Sequence, residues 1–123
     1  MREFYSINRH ALLIRPSQEM VTWVNGLFGG DPEVTYSEAI AHDELDILLI
    51  PEADSIEESL DWVKENCEDI LRYALEDWTP DENQWPKPLN WDLFERFLEY
   101  SLQTMVIDTV TEEEDEADLG EWN

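Results

Sequence analysis

Basic residues are scarce in this chain: seven Lys and Arg stand against 31 Asp and Glu, a formal charge of -24 at pH 7. A surface so charged repels nucleic acid strands, anionic membranes and acidic metabolites, so neither a nucleic acid nor a membrane is expected as a direct partner. It attracts a basic one. Cysteine is nearly absent as well. Cys67 stands alone, which excludes an intrachain disulfide and any multi-cysteine metal cluster. Apolar runs such as Ala11–Ile14 and Ile47–Ile50 are far shorter than the roughly 20 residues a membrane-crossing helix needs. The opening Met1-Arg2-Glu3-Phe4-Tyr5 has an acidic residue and no apolar stretch behind it, so it is not read as a secretory signal, and a cytoplasmic protein is expected.

What is present argues for a folded body. Apolar residues make up 42% of the chain and aromatics 11%, too many core formers for a disordered acidic polymer. One compact domain is expected over residues 1–111. Residues 112–123 are expected to form a disordered acidic tail, because seven of positions 112–121 are Asp or Glu.

Hydrophobic spacing sets the elements. Residues 10–15 read as a strand whose apolar run does not alternate, which suggests cover on both faces. Pro16-Ser17 ends it, and Ser17 is placed as the N-cap of a helix with Met20, Val24, Leu27 and Phe28 on one face and Trp23 beside it. Gly29-Gly30 closes that helix. Residues 34–44 fit either a helical turn or a little strand. Leu45–Ile50, stopped by Pro51, reads as an interior strand.

Ile56, Leu60, Val63, Cys67, Ile70, Ala74 and Trp78 then recur every three or four residues and predict one long helix with a continuous apolar stripe. Capping-box spacing occurs twice at its start, as Asp54/Glu57 and as Ser55/Glu58. Lys64/Glu68 and Glu68/Arg72 have ion-pair spacing on its outer face. Thr79 is read as the cap of a single turn, with Pro80 first and Glu82 third. Asn90 caps a third helix carrying Trp91, Phe94, Phe97, Leu98 and Leu102, and Thr104–Val110 is read as the last strand. The order β-α-β-α-α-β gives an α/β or α+β fold, a small sheet of about three strands with three main helices. A crossover helix between the first two strands favours parallel pairing.

Catalytic signals are weak. Asp43, Glu44 and Asp46 precede a strand and Glu52 and Asp54 follow it, yet acid–base chemistry needs two carboxylates in different environments, and an acidic rim explains the same residues. No segment has the spacing of a calcium-binding loop. His10 and His42 lack ligand spacing for zinc. Cys67 lies on the apolar stripe, which favours packing over nucleophilic work. Gly29-Gly30 lacks the lysine and hydroxyl of a nucleotide loop. No catalytic, cofactor or metal residue is assigned, and an enzyme is the less favoured class.

The six tryptophans remain, and Trp78, Trp85 and Trp91 punctuate a proline-bearing loop. Two readings stay open: the rings anchor the loop over helix ends, or Trp85 and Trp91, with Asp81 and Glu82 beside them, contact a partner. The leading function is a non-enzymatic protein that binds a basic protein through acidic surface and exposed tryptophans. A nucleic-acid mimic and a carboxylate–metal enzyme are the alternatives.

The strand–proline–helix opening around Ala11–Trp23, the segment Leu48-Leu49-Ile50-Pro51-Glu52, the loop from Trp78 to Trp85-Pro86 and the closing Met105-Val106-Ile107-Asp108 occur in a distinctive order. That order resembles a family of small acidic bacterial proteins with no assigned activity. The resemblance implies a compact α/β fold and a bacterial cytoplasmic origin, and it brings no catalytic residue.

Overall fold

Residues His10–Ile14 form the centre of a three-stranded antiparallel sheet. The computed structural model describes residues 4–27 and 45–115. Their elements are β1 (Tyr5–Ser6), β2 (Arg9–Pro16), α1 (Gln18–Leu27), β3 (Asp46–Pro51), α2 (Ile56–Glu65), α3 (Cys67–Glu76), a 3-10 turn (Glu82–Gln84), α4 (Trp91–Phe97), β4 (Leu98–Gln103) and β5 (Ile107–Asp108). Strand order in the sheet is β3-β2-β4, and β1 pairs with β5 in a separate two-stranded ribbon. The architecture is α+β.

Opposed residues in a ladder share a face. His10, Leu12 and Ile14 on β2 therefore lie on the same side as Leu48 and Ile50 on β3 and as Leu98, Tyr100 and Leu102 on β4. This face meets the helices, and Leu12, Ile14, Ile50 and Leu98 join Met20, Val24, Val63, Leu71, Leu75 and Phe94 in one core. Ala11, Leu13, Ile47 and Leu49 lie on the opposite side.

Two strand expectations need correction. The first two strands are antiparallel, because Ile14 pairs with Asp46 and Arg9 with Pro51. The chain thus leaves β2 and enters β3 at the same end of the sheet, whereas a single crossover helix would have returned it to the other end. Nor is β3 interior. It borders β2 alone among the described strands, and Ile47 and Leu49 are 63% and 56% exposed. An unbroken apolar run does not distinguish a strand covered on both faces from an edge strand with one open face.

Helix starts follow the expected chemistry. The Met20 amide donates to Ser17 Oγ (3.2 Å), while the Ser17 hydroxyl donates to the Arg96 carbonyl (2.5 Å), tying the start of α1 to the end of α4. Met20, Val21 and Val24 are buried, Leu27 is half-buried, and Trp23 packs 5.8 Å from Phe97. Ser55 caps α2 by accepting from the Glu58 amide (3.2 Å), and the Glu58 carboxylate accepts from the Asp54 amide (3.2 Å), so Ser55/Glu58 is the working capping register. Phe28, Gly29-Gly30, His42 and residues 34–44 lie outside the described residues.

The predicted long helix is two. Asn66 interrupts it with φ -108° and ψ 13°, and its side-chain amide donates to the Trp62 carbonyl (2.8 Å), competing with the helical bond pattern. Ile56 is half exposed, so the apolar stripe begins later, at Ser59 and Val63, and continues through Cys67, Ile70, Leu71, Ala74 and Leu75.

The third helix stops at Phe97, and Leu98 and Leu102 belong to β4. Leu98, Tyr100 and Leu102 alternate with Glu99, Ser101 and Gln103, a period of two that the spacing Phe94–Leu98–Leu102 disguises as helical. Of the strand expected at 104–110, only Ile107–Asp108 is strand, paired with β1. Within the expected tail, residues 112–115 make a helical turn in which the Glu114 amide donates to Thr111 Oγ1 (3.2 Å). Residues 116–123 lie outside the described residues.

Candidate functional site

The single turn after α3 begins later than expected, because Asp81 rather than Thr79 is its cap: the Asn83 amide donates to Asp81 Oδ1 (3.0 Å). The Thr79 hydroxyl donates to Gln84 Oε1 (2.7 Å) and accepts from the Asp81 amide (3.3 Å), one residue ahead of the turn. This closed loop seats Trp85 at 6% exposure, with the indole N–H donating to the Thr79 carbonyl (2.9 Å). Arg72 lies over the ring at 5.8 Å and pairs with Glu82 (2.5 Å) and Glu68 (3.4 Å). Glu82, then Glu68, hold its guanidinium still more firmly protonated than usual.

Trp91 is half-buried in a different cluster. It stacks on Phe94 at 4.8 Å, meets Tyr100 edge-on at 5.7 Å, and carries Lys64 Nζ at 5.5 Å from its ring. The structure therefore unites Glu82 with Trp85 through Arg72 and leaves Asp81 as an exposed cap, while Trp91 packs elsewhere. Both loop tryptophans already hold a cation from the chain's own small supply.

A different acidic site lies where β3 gives way to α2. Pro51, Glu52, Ala53 and Asp54 face Glu58, Asp61, Trp62 and Glu65 across an open cleft of about 390 Å³. Helical spacing explains the wall, because positions 58, 61, 62 and 65 fall on one side of α2. Five carboxylates and a half-buried indole line the cleft, and among the described residues no basic side chain does. The connection was legible only as scattered acids at Glu52 and Asp54. The signal for the rest was the polar side of the same 3,4 pattern that gives the apolar stripe.

Other reactive groups are built into the core. His10 Nδ1 lies 2.7 Å from Ser59 Oγ, with the residues 6% and 1% exposed. This pair fastens β2 to α2 and has no open cleft of its own. Burial pushes the Cys67 thiol up, with the neighbouring Glu68 charge a smaller cause, so the thiolate is disfavoured. Among the described residues no three His, Cys, Asp or Glu side chains gather to hold a metal ion, and no helix is long and apolar enough to cross a membrane. No protein-family model, no curated protein and no solved structure matches this chain.

Proposed function

We propose that this protein is a non-enzymatic binding protein whose acidic face receives a basic segment of another protein. The cleft between β3 and α2 carries the reading: Glu52, Asp54, Glu58, Asp61 and Glu65 line it together with Trp62, without a cation among the described lining residues. A lysine or arginine entering it meets carboxylates and an aromatic face together, a pairing stronger than either in open water. Long-range charge speeds the encounter, and desolvation around the indole gives the affinity. Trp85 acts as a loop anchor in this reading. Trp91 keeps only a marginal place, since Lys64 already occupies its ring.

The test is titration of the full chain with a synthetic oligolysine peptide at low and at physiological salt. The quadruple change Glu52→Gln/Asp54→Asn/Asp61→Asn/Glu65→Gln is expected to weaken binding at least about tenfold. A matched change of four acids elsewhere, Asp108→Asn/Glu112→Gln/Glu113→Gln/Asp115→Asn, serves as the control. Equal losses from both sets would show that the peptide senses net charge and no particular site.

A further inference from the structure

The cleft does not stand alone, because it opens at the end of an unpaired strand edge. β3 gives one side of its backbone to β2, and among the described residues no strand pairs with the other. Such an edge presents a row of free N–H and C=O groups, and proteins usually blunt it with charge or proline. Here Pro51 lies only at the far end, while Ile47 and Leu49, 63% and 56% exposed, occupy the middle.

We infer that the free edge of β3 and the acidic cleft beyond it form one docking track, on which an extended segment of a basic partner adds as a strand. The inference rests on the acidic-face reading and specifies the ligand: an extended segment of roughly eight to ten residues, apolar or neutral beside β3 and basic at its ends, the length that spans six strand positions and reaches the cleft. The neighbours along the track dictate that order. On the outer face the added strand lies beside Ile47 and Leu49, which suit apolar side chains. The helix-side face carries half-buried Leu48 and buried Ile50 between Asp46, which accepts from the Tyr73 hydroxyl (3.0 Å), and the five carboxylates that follow past Pro51. Basic side chains suit those two ends.

Charge also selects between occupants. A second copy pairing antiparallel on β3 would set Asp46 of each chain against the Pro51-Glu52 end of the other, inside a pair each carrying -24. Like charges directly across a ladder are destabilising. A basic segment meets the same groups as counter-charges. Arg9, opposite Pro51 on β2, donates to the Asn8 carbonyl and side-chain oxygen (2.8 and 2.9 Å) and so belongs to its own turn.

The probe is the decapeptide Lys-Lys-Lys-Val-Thr-Val-Thr-Val-Thr-Lys, compared with the same peptide N-methylated at every valine and threonine, which keeps charge and side chains but leaves neither edge of its central stretch able to donate to a ladder. Binding to the full chain is followed by titration and by amide hydrogen exchange. Strand addition is expected to protect those β3 amides that do not bond to β2, and N-methylation to weaken binding by about tenfold or more. Ile47→Ser/Leu49→Ser, at exposed positions and with charge unchanged, is expected to weaken the unmodified peptide similarly while leaving spermine binding alone. If both peptides bind equally and β3 amides stay unprotected, strand addition is wrong and the acidic-face reading survives. If neither peptide binds at physiological salt, both are overturned.

Discussion

The His10 imidazole and the Ser59 hydroxyl meet at 2.7 Å in the middle of the molecule, joining the central strand to the first turn and a half of α2. Among the described residues no buried side-chain N or O atom lacks a partner, and this pair contributes to that balance. Removing one member leaves the other desolvated without a partner, which typically costs about 1–3 kcal/mol. Ser59→Ala is therefore expected to destabilise by about that amount in urea unfolding. His10→Leu/Ser59→Ala, with both polar groups gone, is expected to cost less than the sum of the single changes. Strict additivity would mean that the pair carries no coupling.

Trp85 and Trp91 separate anchoring from packing at the rim. Trp85 is buried and satisfies its indole N–H on the Thr79 carbonyl, so Trp85→Ala removes a large core side chain and leaves that carbonyl open. A loss of about 3–5 kcal/mol is expected by chemical denaturation. Trp91 is only half-buried, and Trp91→Ala is expected to cost distinctly less. A Trp85→Ala protein as stable as the parent would mean that this ring does not anchor the loop.

Element identity was largely legible because caps and periods are local. Ser17, Ser55 and Asn90 each accept the expected amide, and strand, helix, strand, helices and strand follow in the expected order. Whatever depended on distant neighbours was hidden. Ile47 and Leu49 are apolar whether or not another layer covers them, so their exposure could not be read. Asn66 breaks a helix whose apolar spacing runs through it undisturbed, because the stripe steps from Val63 to Cys67 and Ile70 without using position 66. Phe94, Leu98 and Leu102 satisfy a helical spacing and a strand alternation at once, and only pairing with Leu12 and Pro16 selects the strand. The acidic cleft was hidden by abundance: in a chain with 31 carboxylic residues, five that line one cleft look like any other five.

Three groups make the fold sensitive to alkali. Burial raises the Cys67 thiol and the Tyr100 phenol, and the bond to Asp46 is the first cause of the rise at Tyr73. A raised folded pKa means that the native state holds the proton more tightly than the unfolded chain does. The associated stability is complete below the unfolded values, near about 8.5 for cysteine and 10 for tyrosine, and is lost as pH climbs through the folded ones. Unfolding free energy is thus expected to fall above about pH 9. Tyrosinate absorbance should lag in the native protein relative to the urea-unfolded chain. Tyr73→Phe should remove part of the lag, and a thiol reagent at pH 8 should react with Cys67 far faster after unfolding.

Salt should move stability in the direction opposite to that expected for a protein held by surface ion pairs. Among the described residues three arginines make such pairs: Arg15 with Glu99, Arg72 with Glu68 and Glu82, and Arg96 with Glu19 and Asp92. All are substantially exposed, so screening them removes little. Against them stands the mutual repulsion of a -24 chain, whose charges are closer together folded than unfolded. The Debye length contracts from about 30 Å at 0.01 M to about 10 Å at 0.1 M, which removes repulsion across the molecule before it removes contacts within a pair. The melting temperature is therefore expected to rise between 0.01 and about 0.3 M sodium chloride. The cleft quadruple change used above, which deletes four negative charges, should raise it at low salt and flatten its salt dependence. A melting temperature that falls with salt would mean that the arginine pairs outweigh the repulsion.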